Sequence, residues 1–177
     1  MIYRDYVRFS VLGQPIGKGR PKFTSYGKYP RAYTPEKTAS FENLVKMEYR
    51  RQCKDKRFAD DAMIGIVIYA YYAIPKSASK KKKEAMLRRL IRPTVKPDYD
   101  NIAKIVSDAL NGIAYADDKN IVDSAVHKFY SYTPGIFVEL YNAKGIAMNL
   151  SFTSTEAAMT ESLLNLKYPH EDRFFGI

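Results

Sequence analysis

The most regular apolar pattern in the chain follows Asp98, and it restricts what the fold can be. Apolar residues recur there with the spacing i, i+3, i+4, i+7, i+8 and i+11; they are Ile102, Ile105, Val106, Ala109, Leu110 and Ile113. This spacing predicts an amphipathic helix that starts at Asp98 and buries one side. Asp100, Lys104 and Asp108 recur every four residues and form a separate polar stripe. The apolar side of this helix needs a second layer of structure to cover it.

Four segments with strand-like patterns can supply that layer, and they are residues 6–12, 63–74, 121–132 and 136–141. The last two are predicted to pair as a hairpin around the turn at Pro134-Gly135. We therefore expect an α+β fold, in which a small mixed or antiparallel sheet packs against helices.

A second helix is predicted to begin at Thr34-Pro35 and to run to about Arg51. Threonine is a good N-cap and proline is favoured at the first helical position. A chain of 177 residues is long enough for one domain with a hydrophobic core. We assign residues 1–143 to that domain and residues 144–177 to a C-terminal extension. Thr153 and Glu156 have the spacing of a capping box, which favours a helix in the extension.

The chain is basic, with a formal net charge of +10 at pH 7. Such a charge attracts polyanions, so nucleic acid is the first candidate partner and an anionic membrane surface the second. A basic protein that binds neither is the remaining alternative. With Cys53 as the single cysteine, neither an internal disulfide nor a zinc site built from several cysteines is available. The apolar run at residues 64–74 is too short to span a bilayer, and the start of the chain has no secretory pattern, so we expect a cytoplasmic protein.

A basic loop follows the first predicted strand. Residues 13–22 contain three glycines and two prolines, which exclude a helix or a continuous strand, and they carry Lys18, Arg20 and Lys22. These three cations are predicted to contact DNA phosphates. The small residues around them let the main chain of the loop come close to the DNA backbone. A nucleotide-binding P-loop is disfavoured, since the loop lacks the required Gly-Lys-Ser/Thr ending.

A second basic cluster occurs at Lys80, Lys81, Lys82 and Lys83. Ser77 or Ser79 can cap a short helix that runs through these lysines to about Ile91. Like charges in consecutive positions make this helix marginal without a partner. The run is a candidate phosphate contact, and a solvated helix face is the alternative.

Two pairs of acidic residues flank the amphipathic helix, namely Asp98 with Asp100 and Asp117 with Asp118. Phosphodiester hydrolysis needs its negative charge neutralised and a water activated. A divalent metal held by carboxylates supplies both. If the following strand runs back past the helix start, a third carboxylate can join the first two. Each acid also has an ordinary interpretation: helix capping, a polar turn, or an i, i+4 pair between Asp100 and Lys104.

The combination of these blocks resembles the RusA-like Holliday junction resolvases over roughly residues 6–141. The matching blocks are Lys96-Pro97-Asp98-Tyr99-Asp100-Asn101, Lys104, Asp108-Ala109-Leu110-Asn111-Gly112 and Tyr115-Ala116-Asp117-Asp118. The early loop from Gly13 to Pro21, followed by Tyr33-Thr34-Pro35, also matches. Asn120 stands where glutamine is expected.

The resemblance implies specific roles for these residues. Asp98, Asp100 and Asp118 would bind Mg²⁺, with Asp117 as the alternative to Asp118 and Mn²⁺ as an alternative metal. Lys104 would stabilise charge that develops on the phosphate or on a leaving oxygen. The resemblance also implies a homodimer that nicks opposite strands of a four-way DNA junction in recombination and repair.

Two other functions stay open at this point. One is a non-catalytic DNA-binding protein with the same basic surface, and the other is a nuclease for flaps or other branched DNA. The second uses the same chemistry as junction resolution, so sequence cannot separate them. His127 is predicted to be structural, and no signature of a serine or cysteine nucleophile accompanies it.

Overall fold

The structure is a computed structural model, and it describes residues 6–20, 22–24, 31–33 and 35–144, with the backbone alone at 22–24 and 31–33. The predicted C-terminal extension and its capping box lie outside the described residues beyond Lys144, so the domain boundary at residue 143 stays a prediction. None of the helices in the described part combines the length and the apolar character that crossing a lipid bilayer requires.

A four-stranded mixed sheet forms the centre of the fold. In chain order the described strands are β1 (Tyr6–Leu12), β2 (Lys22–Thr24), β3 (Arg31–Tyr33), β4 (Ile64–Ala73), β5 (Ile121–Ser131) and β6 (Gly135–Asn142). The sheet has the spatial order β1-β6-β4-β5, with β4 and β5 parallel and the other two pairs antiparallel. The short strands β2 and β3 pair with each other. The prediction of an α+β fold with a small mixed sheet is confirmed.

The predicted hairpin between the last two strands is wrong. β6 pairs with β1 on one side and β4 on the other, so β4 separates it from β5. The burial of the two strands explains this order. Ile136, Val138 and Leu140 of β6 are buried, which suits an interior strand, whereas β5 exposes Val122 and Ser124 and is placed at the edge.

Two helices cover one face of the sheet. They are α1 (Glu36–Cys53) and α3 (Tyr99–Leu110), and α2 (Lys80–Leu87) lies between β4 and α3 in the chain. The predicted apolar stripe of α3 is fully buried from Ile102 to Leu110, and Ile113 packs against the core from beyond the helix end. The Phe9 and Tyr49 rings meet edge to face, with centroids 5.3 Å apart, and join β1 to α1.

The ends of two helices differ from the prediction. α1 begins at Glu36, and Pro35 takes the N-cap position, where its carbonyl accepts from the amides of Thr38 and Ala39. Thr34, the predicted cap, lies outside the described residues. α2 is capped by Ser79 as predicted, but it ends at Leu87 because Arg89 adopts a left-handed conformation (φ 63°).

Candidate active site at the start of helix α3

Asp98 and Asp100 both lie at the N-terminal end of α3, and both are exposed. Asp98 holds the N-cap position, and its carbonyl accepts from the amide of Ile102 (3.1 Å). Its side chain makes no capping hydrogen bond with the described residues of the helix. The side-chain amide nitrogen of Asn101 lies 3.4 Å from the carboxylate of Asp100, which is a weak contact. The two carboxylates are therefore open to an external ligand, beside the positive end of the helix dipole.

Two side chains from the sheet fix the segment that precedes Asp98. The hydroxyl of Tyr72 donates to the carbonyl of Pro97 (2.9 Å). The ammonium of Lys128 donates to the same carbonyl (3.0 Å) and to that of Val95 (2.5 Å), and it lies 5.0 Å from the centre of the Tyr72 ring. β4 and β5 therefore hold the entry to α3 in place.

The charge of Asp98 reaches both of these side chains. Burial lowers the pKa of Lys128, and the nearby Asp98 carboxylate partly offsets this. Burial and the same carboxylate raise the pKa of Tyr72 to about 12. Asp98 thus sits within electrostatic range of a lysine that sequence reasoning missed.

The glycine-rich loop packs against this end of α3. The amide of Lys18 donates to the carbonyl of Asn101 (2.9 Å). A Cβ on Gly17 would lie 2.6 Å from the Cβ of Pro97 and 3.0 Å from that of Asn101, so only glycine allows the loop to approach this closely. The loop is thereby held against the acidic end of the helix.

Lys18 has a different environment from the one predicted for a phosphate contact. Its ammonium lies 2.5 Å from a carboxylate oxygen of Glu42 on α1 and 2.7 Å from one of Asp108 on α3, and its side chain is 22% exposed. Burial alone would lower the pKa of Lys18, but the hydrogen bonds with Asp108 and Glu42 raise it above its ordinary value. The cation ties the loop to both helices and is already matched by two carboxylates.

The other predicted loop cations have different positions. Arg20 is exposed at the end of the described loop. Lys22 begins β2, and its side chain lies outside what the structure describes. Arg20 is therefore the loop cation that the described structure leaves accessible to a phosphate.

Asp117 and Asp118 lie in a 3-10 turn that leads into β5. A carboxylate oxygen of Asp117 accepts from the amide of Lys119 (3.0 Å), and this bond lowers the pKa of Asp117. Asn120 anchors the turn, because its side-chain amide donates to the carbonyls of Asp60 and Ala62. Asp117 is thus engaged in capping its own turn.

The two acidic pairs lie at opposite ends of α3, which spans about 18 Å. β5 does run back past the helix start, where its residue Lys128 meets Pro97, but Asp118 precedes that strand. Burial and, to a smaller extent, the charge of Asp118 raise the pKa of Tyr115, whose hydroxyl donates to the carbonyl of Ser107 near the end of α3. Among the residues described, no three His, Cys, Asp or Glu side chains form a group that could hold a metal. The role of Asp118 as a metal ligand stays a prediction.

Lys104 lies on the exposed side of α3, about one turn after Asp100. No ion pair within 4.0 Å joins it to Asp100 or Asp108 in the described structure, so the simple i, i+4 pair does not form. Its ammonium is available on the same stripe as Asp100.

The basic helix α2 docks on the edge strand β5. Met86 is buried, and the guanidinium groups of Arg89 and Arg92 lie 4.7 Å and 4.5 Å from the centre of the Phe129 ring. The Arg92 side chain also donates to the carbonyl of Lys128 (3.0 Å). This is the partner that the lysine-rich helix requires, and it places that helix at the end of the sheet where Asp98 lies.

Comparison with known proteins decides the family. The family model for endodeoxyribonuclease RusA matches residues 13–141, which include the loop, both acidic pairs and Lys104. The protein belongs to the RusA endodeoxyribonuclease family. A relative in Bacillus subtilis (strain 168), the uncharacterized protein YqaN, is 35% identical over 134 residues, which cover 76% of this chain and 94% of the relative. The resemblance inferred from the sequence blocks is confirmed.

Proposed function

We propose that this RusA-family protein is a metal-dependent endodeoxyribonuclease that resolves four-way DNA junctions by paired nicks in recombination and repair. The observation that carries the proposal is the state of Asp98. It occupies an N-cap position without making a capping hydrogen bond, next to the exposed carboxylate of Asp100. An acid that is held in place but is not used by its own helix is suited to bind a ligand.

The donor set of the site fits magnesium, with Mn²⁺ as an alternative. Mg²⁺ takes oxygen ligands, keeps several waters, and is commonly bound by one or two carboxylates together with phosphate oxygens. Asp98 and Asp100 supply two carboxylates at the positive end of α3. We propose Asp118 as a further ligand on the family resemblance alone, because the described chain places it beyond the opposite end of that helix. When bound, the metal would neutralise phosphate charge and lower the pKa of a water.

The remaining roles belong to basic side chains. We assign charge stabilisation at the reacting phosphate to Lys104, and positioning of the Asp98 segment to Lys128. Arg20, Lys22 and the Lys80–Lys83 run are proposed to contact the DNA backbone. Lys18 is removed from this set, because Glu42 and Asp108 already match its charge.

A two-fold homodimer is part of the proposal. A four-way junction is symmetric, so a symmetric dimer can present two equivalent sites to opposite strands. We place the protein in the cytoplasm, where it meets DNA.

The direct test compares a synthetic four-way junction with a linear duplex of the same sequence, each incubated with purified protein and Mg²⁺ or with EDTA. The proposal predicts symmetric nicks in the junction, none in the duplex, and none with EDTA. A flap substrate is incubated in parallel, and its cleavage as efficiently as the junction would favour a nuclease for branched DNA in general. Tight junction binding without any cleavage would favour the non-catalytic DNA-binding alternative.

A further inference from the structure

Helix α2 and the turn after β5 border a shallow, open pocket of about 460 Å³, lined by Lys80, Lys83, Glu84, Leu87 and Tyr132. That volume falls within the range of sites that take small organic ligands. The proposed nuclease chemistry uses the charge of the lysine run but does not explain why an aromatic ring stands beside it.

The lining combines one exposed aromatic ring with two cations. Tyr132 follows the last residue of β5, and 68% of it is exposed. Lys80 and Lys83 project from the same side of α2, because residues three apart are neighbours on a helix. Leu87, one turn further along, adds an apolar surface. The carboxylate of Glu84 faces Arg88 at 3.9 Å, so its charge is partly balanced.

This combination matches an unpaired nucleotide. A nucleobase presents a flat π face that stacks on an aromatic side chain, and its phosphate is attracted by ammonium groups. A duplex would satisfy the lysines alone, since its bases are already stacked on each other. The exposed ring is the feature that distinguishes this surface from a general phosphate contact.

We propose that the Tyr132 pocket binds an unpaired nucleotide of branched DNA, with the base stacked on Tyr132 and the phosphate held by Lys80 and Lys83. The inference rests on the proposed function in taking DNA as the ligand. The pocket and the acidic site are linked through β5, because Tyr132 follows Lys128 by four residues, about 13 Å of extended chain, and Lys128 contacts Pro97 directly before Asp98.

The absence of tryptophan from the chain allows a direct test. Tyr132→Trp introduces a single tryptophan in the pocket, and Met47→Trp places one on α1, where Met47 is 66% exposed; excitation at long wavelength selects the tryptophan over the chain's tyrosines. Each variant is titrated in EDTA with a short oligothymidylate and with a duplex of equal length. The inference predicts quenching by the single strand at position 132 and none at position 47. Binding of the single strand without quenching at position 132 would overturn it.

The lysine run provides a matched pair of charge variants. Lys80→Ala/Lys83→Ala removes the two lysines that line the pocket, and Lys81→Ala/Lys82→Ala removes the same charge from the same helix away from it. The first should abolish the preference for single strand over duplex, whereas the second should weaken both substrates alike and keep that preference. Equal effects of the two pairs would reduce the surface to a general phosphate contact.

Replacing the aromatic ring completes the test. In the otherwise natural chain, Tyr132→Leu should lower single-strand affinity roughly 5- to 150-fold, while Tyr132→Phe should keep it, because stacking needs the ring and not the hydroxyl. Unchanged affinity in Tyr132→Leu would contradict the inference. All these binding measurements are made in EDTA and are therefore separate from cleavage. A protein that cleaves junctions but does not bind single strands here would contradict the pocket proposal alone. A protein that binds single strands here but cleaves no junction would contradict the nuclease proposal alone.

Discussion

The replacement of Lys18 by methionine tests whether this lysine contacts DNA or holds the fold together. Methionine keeps most of the length and apolar volume of the lysine side chain but removes its ammonium. In the folded protein that ammonium contacts Glu42 and Asp108 at 2.5 Å and 2.7 Å. The loop, α1 and α3 are joined through this one cation.

The magnitude follows from the geometry of the cluster. Exposed ion pairs contribute about 0–1 kcal/mol and hydrogen bonds to charged groups about 1.5–3 kcal/mol, and these side chains, 16–27% exposed, lie between those cases. Without the lysine, two carboxylates that share one ammonium would face each other and repel by about 1–3 kcal/mol. We expect Lys18→Met to lower the free energy of unfolding by about 2–4 kcal/mol, since these contributions overlap.

The assay is urea unfolding followed by circular dichroism, and the midpoint should fall with little change in slope. Because the folded pKa of Lys18 is raised, its contribution is fully present at pH 7 and is lost only as the pH rises above the ordinary value of 10.5. Adding Glu42→Gln and Asp108→Asn to Lys18→Met should recover part of the loss by removing the repulsion. A change below about 0.5 kcal/mol, together with a flatter salt dependence of DNA binding, would refute the structural role and restore the phosphate contact.

Three further predictions concern pH, DNA and assembly. Burial lowers the pKa of His127 below its ordinary 6.5, so the unfolded chain binds the proton more tightly than the folded protein does. The urea midpoint should therefore fall as the pH drops below 6.5, and His127→Gln should make this fall less steep. Parallel curves for the two proteins would exclude this contribution. Arg20→Ala should weaken junction binding and reduce its salt slope by about one unit, and an unchanged slope would remove Arg20 from the interface. Sedimentation should give twice the monomer mass of 20.3 kDa, and a fully active monomer would exclude the dimer.

The helices and main strands could be predicted from local sequence pattern, but the order in which the strands pair could not. The stripe from Ile102 to Leu110 identified α3, and four apolar or alternating runs identified the main strands, because period and burial are encoded locally. The pairing of β6 with β1 depends on which strand is buried on both sides, and that is decided by tertiary packing. The three-residue strands β2 and β3 are too short to give a periodic signal.

The candidate site likewise has a part that sequence could predict and a part that it could not. The Asp98–Asp100 pair and its place at a helix start followed from a contiguous motif. Lys18 could not be assigned to Glu42 and Asp108, because those partners lie 24 and 90 positions away in the sequence. Lys128 gave one local signal, a lysine in a strand, but its contact with Pro97 depends on the parallel pairing of β4 and β5.

The most direct test of the proposed function is the Asp98→Asn variant on a four-way junction. Asn is nearly as good an N-cap as Asp, and Asp98 makes no side-chain capping bond, so the variant should unfold at the same urea concentration as the natural protein. Asp60→Asn, which changes an exposed carboxylate next to Arg57, is the matched control and should cleave normally. With Mg²⁺, Asp98→Asn should bind the junction as tightly as before, or more tightly because a charge that repels phosphate is gone, and it should leave both strands intact. Normal magnesium-dependent cleavage by the folded Asp98→Asn protein would contradict the assignment of this acid to the active site.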